Sequence, residues 1–140
     1  MRRVPVTGGT FSTMLIRDLK DCEEFLAGDS THLRELLHPE KQPVELRYSL
    51  AHAVVHPGET SLRHSLTVSE VYYICEGRGL MHIGAESREV GPGQAIYIPP
   101  GAVQCITNVG SVDLKFLCIV DPAWRPELES VLQDGSRQRG

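Results

Sequence analysis

His64, Glu70 and Gln104 are the side chains of this sequence whose types and placing promise chemistry. Each stands in a run of apolar and β-branched residues bounded by glycine or proline. Alternate residues of a strand face the same side. His64 therefore shares a face with Leu66, Glu70 with Tyr72 and Ile74, and Gln104 with Ile106 and Asn108. If the strands close on one another, an imidazole nitrogen, a carboxylate oxygen and an amide oxygen arrive at one depth. Such a set can coordinate a cation or move protons, and Glu70 is the best candidate base.

The elements that must position these groups follow from the turn signals. Residues 45–55 read as a strand with apolar residues on both faces, as a strand covered on each side requires. Pro57-Gly58 is a turn. Val71 to Cys75 is rich in β-branched and aromatic residues and runs into Glu76-Gly77-Arg78-Gly79, a hairpin signal. Short strands are expected over 80–83, 86–90, 94–98, 103–108 and 112–120, separated by Gly84, Gly91-Pro92-Gly93, Pro99-Pro100-Gly101 and Asn108-Val109-Gly110. Many short strands with such turns mean a sandwich or barrel, an all-β fold. Before residue 44, the sequence predicts an extended arm over 1–10 and a strand over 11–16. Asp21 and Glu24 have the spacing of a capping box, which predicts a short helix ending at Gly28. Leu33 to Leu37 reads as a strand or a helical turn. After Asp121-Pro122, Pro126 suits the first turn of a short helix over 126–132, and residues 133–140 are polar and read as a disordered tail. The expected organisation is an N-terminal extension (1–43) packing on the barrel, the barrel itself (44–121), and a C-terminal helix with its tail (122–140).

The 140 residues suit one domain with a core of ordinary size. The net charge of −4 comes without a long run of either sign, which speaks against a nucleic-acid surface. No apolar run is long enough to span a bilayer. Cys22, Cys75, Cys105 and Cys118 contain no C-x-x-C pair, and no signal peptide precedes them, so they read as reduced thiols in a cytoplasmic protein.

Two motifs carry a family resemblance. Gly58, five residues, His64, one residue, Leu66, three residues, Glu70, six residues and Gly77 follow G-x5-H-x-H-x3-E-x6-G, with Leu66 in the second histidine's place. Gly93, Pro99, Gly101, Gln104 and Asn108 follow G-x5-P-x-G-x2-H-x3-N, with Gln104 in the histidine's place. The chain resembles a cupin, a double-stranded β-helix or jelly-roll barrel, over residues 44–121. The resemblance implies a mononuclear divalent-metal site (zinc, iron, manganese or nickel) with His64, Glu70 and Gln104 as ligands. It implies a small-molecule ligand and leaves the reaction open, since one fold hosts many chemistries. The competing reading is a non-catalytic ligand-binding or sensor cupin without metal, in which His64, Glu70 and Gln104 hydrogen-bond one another.

Leu66, Tyr72, Ile106, Phe116 and Cys118 are the expected pocket-lining residues. His52 and His82 alternate with core positions and should point away from the pocket, and Cys105 should act as a small hydrophobe facing away from Gln104's side. The outer face of the first barrel strand, Leu46, Tyr48, Leu50, His52 and Val54, needs a cover. Either residues 11–37 supply it or a second copy does, and a homodimer is the expectation.

Overall fold

The computed structural model describes residues 14–132. Eleven strands build two antiparallel sheets around one core. They are β1 (Glu24–Leu26), β2 (His32–Leu37), β3 (Ser49–Val55), β4 (His64–Leu66), β5 (Ser69–Glu76), β6 (Gly79–Ile83), β7 (Glu86–Val90), β8 (Ala95–Ile98), β9 (Gln104–Asn108), β10 (Leu114–Asp121) and β11 (Glu129–Val131). One sheet runs in the order β1-β2-β3-β10-β5-β8 and the other β11-β4-β9-β6-β7. This is the all-β, two-sheet architecture that the motifs implied.

Alternation along the strands turns one face of each sheet inward. Pairing sets Ala53, Phe116 and Ile74 side by side, and likewise Ala51, Cys118, Tyr72 and Ile96. Ala53, Tyr72, Ile74 and Phe116 of these rows form the core with Val55, Met81, Val90, Ile98, Ile106 and Leu114, and Ile96 and Cys118 pack against it. The Tyr72 and Phe116 rings lie 4.5 Å apart, centroid to centroid.

The C-terminal helix expected over 126–132 is not there. Pro126–Leu128 make one 3-10 turn, and Glu129–Val131 then pair with His64–Leu66. Backbone pairing along the exposed edge of β4 outweighs the weak helical preference of so short a segment. The helix expected after Asp21 is likewise absent. A 3-10 turn at Leu19–Asp21 is capped by Asp18, and β1 follows. Residues 14–16 form no strand; the remainder of the strand expected over 11–16, the arm and the tail lie outside the described residues. No helix among the described residues is long and apolar enough to cross a membrane.

β1 and β2 extend the sheet beyond β3 instead of packing over its outer face. Leu50, His52 and Val54 are only half-buried there, and Tyr48 is exposed. The four cysteines are free thiols.

The turn after β5 depends on Gly77. Its φ of +92° is one that side chains strain to adopt, and a Cβ there would meet the Asp113 carbonyl oxygen at 2.7 Å. Gly77→Ala is expected to destabilise the fold by about 1–3 kcal/mol, read as a lowered urea midpoint. An unchanged midpoint would show that the hairpin rearranges freely.

Candidate functional site

Glu70 and Gln104 meet in the barrel interior. Glu70 lies on β5 between Val120 and Ile98, and Gln104 lies on β9 beside His64 on β4. Gln104 Nε2 donates to Glu70 Oε1 at 2.8 Å, and the Tyr72 hydroxyl donates to Gln104 Oε1 at 3.0 Å. Both ends of the amide are thus engaged. Burial between apolar neighbours, reinforced by the charge of Asp29, pushes the Glu70 carboxyl up to about 8, against the hydrogen bond from Gln104. Burial likewise raises the Tyr72 hydroxyl and the Cys118 thiol well above their usual ranges. All three groups stay protonated near neutrality.

His64 is 2 % exposed. Its Nδ1 donates to the Leu62 carbonyl at 3.0 Å, which leaves Nε2 as the free nitrogen. No hydrogen bond joins it to Glu70 or Gln104 among the described residues. Nε2 faces two carboxylates that the sequence reading missed: Asp29 Oδ2 at 3.5 Å and Glu129 Oε2 at 3.9 Å. Ligand atoms of these three residues lie within 4.8 Å of one another.

Local structure holds each of the two newcomers by one oxygen. Asp29 sits in the turn between β1 and β2, where Oδ1 accepts from the Thr31 amide at 3.1 Å and hydroxyl at 2.8 Å. Its backbone carbonyl accepts from the Leu62 amide, which ties the turn to the segment that carries His64. Glu129 is the cross-strand partner of Leu66, and its Oε1 accepts from Trp124 Nε1 at 3.1 Å. A carboxylate therefore stands beside the very position where the motif lacks a histidine. Burial raises the Glu129 carboxyl, His64 pulls it down, Asp29 raises it further, and the Trp124 hydrogen bond lowers it.

These groups open onto a cavity of about 130 Å³ whose walls include Leu66, Tyr72, Phe116 and Cys118. Of the expected lining residues, Ile106 instead belongs to the core, fully buried, and Gln104, an expected ligand, is bonded to Glu70 and is not among the residues on the cavity wall. A wider, open groove of about 540 Å³ runs between β7 and β8, without such a convergence of ligating atoms among the described residues. His52 pairs across the outer face with Arg34 and Leu117, and His82 bonds the Ser87 hydroxyl, so neither enters the cavity.

The donor sets can be compared with what a metal ion needs. At the motif positions, Leu66 offers no donor atom and the Gln104 oxygen is already held by Tyr72. At Asp29, His64 and Glu129, each residue has one polar atom engaged and a second free. Bonds of roughly 2.0–2.2 Å at tetrahedral angles set ligand atoms about 3.4 Å apart, close to the 3.5 and 3.9 Å separations here. One imidazole and two carboxylates suit a divalent ion of borderline hardness.

Sequence and structure comparisons agree with one another. The Cupin domain family model matches residues 51–120. An uncharacterised protein of Methanocaldococcus jannaschii is 42% identical over 110 residues, spanning 78% of this chain and 87% of that protein. Among solved structures, the polyketide cyclase RemF of Streptomyces resistomycificus superimposes with a TM-score of 0.71 at 22% identity, covering 87% of this chain and 88% of that one. A predicted oxalate decarboxylase of Thermotoga maritima gives 0.68 at 21% identity, covering 77% and 99%. Identities this low between structures carry the fold and no chemistry.

Proposed function

The chain belongs to the cupin domain family, and from that premise we propose that it is a small-molecule cupin whose pocket holds a divalent metal ion on Asp29, His64 and Glu129, with Glu70 as the proton-transfer group. One observation carries this reading. Nδ1 of His64, Oδ1 of Asp29 and Oε1 of Glu129 are each hydrogen-bonded outward, and the partner atom of each group faces the other two. Outer hydrogen bonds of that kind orient ligands and tune their basicity.

When bound, the ion would act as a Lewis acid on a substrate oxygen. The chain's own groups do the rest. Glu70 carries its proton at neutral pH, and Gln104 on Oε1 leaves Oε2 to exchange it. Tyr72 fixes which end of the Gln104 amide meets Glu70. Leu66, Phe116 and Tyr72 line the same cavity as Glu70. The names of two structural neighbours, a cyclase and a predicted decarboxylase, are those of enzymes and support a catalytic use of the pocket. The metal-free binding module is the second reading, favoured by the closed Tyr72–Gln104–Glu70 hydrogen-bond chain. Calorimetric titration of the chelator-treated protein separates them: one zinc per chain supports the metal reading, and no saturable zinc binding supports the other.

Leu66→His is expected to tighten zinc binding by about tenfold or more, because a buried imidazole would arrive beside Glu129 on the face that holds His64. Zinc should gain more than magnesium. Equal affinities in both proteins would show that position 66 is turned from the ion.

Self-association is a separate proposal. Pairing places Leu50, Ile119, Val71 and Tyr97 in one row across four strands, on the outer face of the larger sheet. Tyr73, 42% exposed, lies in the next row. An apolar row this long suits a twofold partner of the same kind. Light scattering should give twice the chain mass at micromolar concentration, and Ile119→Lys should return it to the monomer mass; a monomeric parent protein would refute the pairing.

A further inference from the structure

Acidic groups outnumber basic ones around the cavity. Four carboxyl groups line it, those of Asp29, Glu35, Glu70 and Glu129, against His64 and Lys41, and of the four the buried Glu70 is the one that keeps its proton near neutrality. Lys41 does not face a ligand alone, because its Nζ lies 2.6 Å from Glu35 Oε1. No arginine lines the cavity among the described residues. Beyond the acid end the walls are apolar and aromatic: Phe25, Leu33, Leu66, Phe116 and Trp124. His64 independently marks a ligand position. It is almost wholly buried, its Nε2 makes no hydrogen bond among the described residues, and that nitrogen faces the carboxylates that share the cavity.

We infer that this pocket admits a small uncharged or cationic molecule with an apolar, ring-sized body, and that it turns anions away. The inference rests on reading the cavity as the ligand site and is made for the metal-free pocket. With Lys41 paired to Glu35, the Asp29 and Glu129 carboxylates are opposed by one imidazole, and an entering carboxylate or phosphate meets like charge in a poorly solvated space. The volume matches a single ring, since a cavity of about 150 Å³ lined by apolar groups holds benzene.

Trp124, the only tryptophan of the chain, lines the cavity and reports on occupancy. Benzylamine, benzyl alcohol and benzoate share one apolar body and differ in charge. Each is titrated into the chelator-treated full chain and followed by tryptophan fluorescence, and zinc binding is measured separately by calorimetry. Benzylamine and benzyl alcohol should give saturable changes at concentrations on the order of 100-fold below those that benzoate requires. Asp29→Asn and Glu129→Gln, singly and together, should shrink that ratio, and circular dichroism confirms that each variant folds. Benzoate binding as tightly as benzylamine overturns the inference and leaves the metal reading intact if zinc still binds. Failure of all three probes to saturate overturns the assigned size and apolar character, again independently of zinc.

Discussion

Replacing Asp29 by Asn together with Glu129 by Gln is expected to weaken zinc binding by about 100-fold or more, a larger loss than outer hydrogen-bonding partners of a metal site typically give. The physical cause is charge. The two substitutions keep the shapes of the side chains and the hydrogen bonds to Thr31 and Trp124 within reach, but they remove both negative ligands around His64. Gln104→Ala serves as the contrast. Its amide oxygen is held by the Tyr72 hydroxyl and its nitrogen by Glu70, so its removal should change zinc affinity little. Calorimetry on the three proteins separates the two donor sets. A large loss in Gln104→Ala with affinity retained in the double variant would return the ion to the motif positions.

The second large effect is on stability and its dependence on pH. The Glu70 carboxyl is pushed up to about 8 in the folded protein from an ordinary 4.5. A carboxyl whose folded value lies above its unfolded value binds its proton more tightly in the fold. Its favourable contribution is therefore complete below the unfolded value, and it is lost as pH rises through the folded value. The chelator-treated protein should lose stability from about pH 5 to about pH 8. Glu70→Gln keeps an acceptor for Gln104 and carries no charge, so it should be the more stable protein at the alkaline end, by something on the order of 3 kcal/mol. Urea denaturation at several pH values measures the difference between the two proteins. A difference that stays constant across the range would mean that Glu70 titrates as it does in water.

Why part of the site was readable in the sequence and part was not follows from how each residue reaches it. His64, Leu66 and Glu70 lie within seven consecutive residues, and Gln104 sits in a second strand with its own glycine and proline markers. Strand alternation then places their side chains without knowledge of the rest of the chain. The facing of Tyr72, Phe116 and Cys118 toward the cavity followed from the same rule. Asp29 and Glu129 obey no such local rule. Asp29 comes from a turn whose one visible sign is the run Gly28-Asp29-Ser30-Thr31, read only as a helix end. Glu129 lies in a stretch read as helix, and only its pairing with β4 turns its side chain beside Leu66. That pairing joins residues more than sixty positions apart in sequence. Short segments at the ends of the chain have weak preferences of their own, and the exposed edges of the barrel decide what they become. The missing histidines were thus plain from the motifs, while the carboxylate beside one of the gaps was visible only in the assembled sheet.

The central claim is where an ion sits, and anomalous scattering at the zinc absorption edge from crystals grown with zinc locates it directly. The predicted result is a single strong peak within bonding distance of Asp29, His64 and Glu129, with the Glu70–Gln104–Tyr72 hydrogen bonds undisturbed. A peak ligated by His64, Glu70 and Gln104, or one held only by His52 or His82, would contradict it.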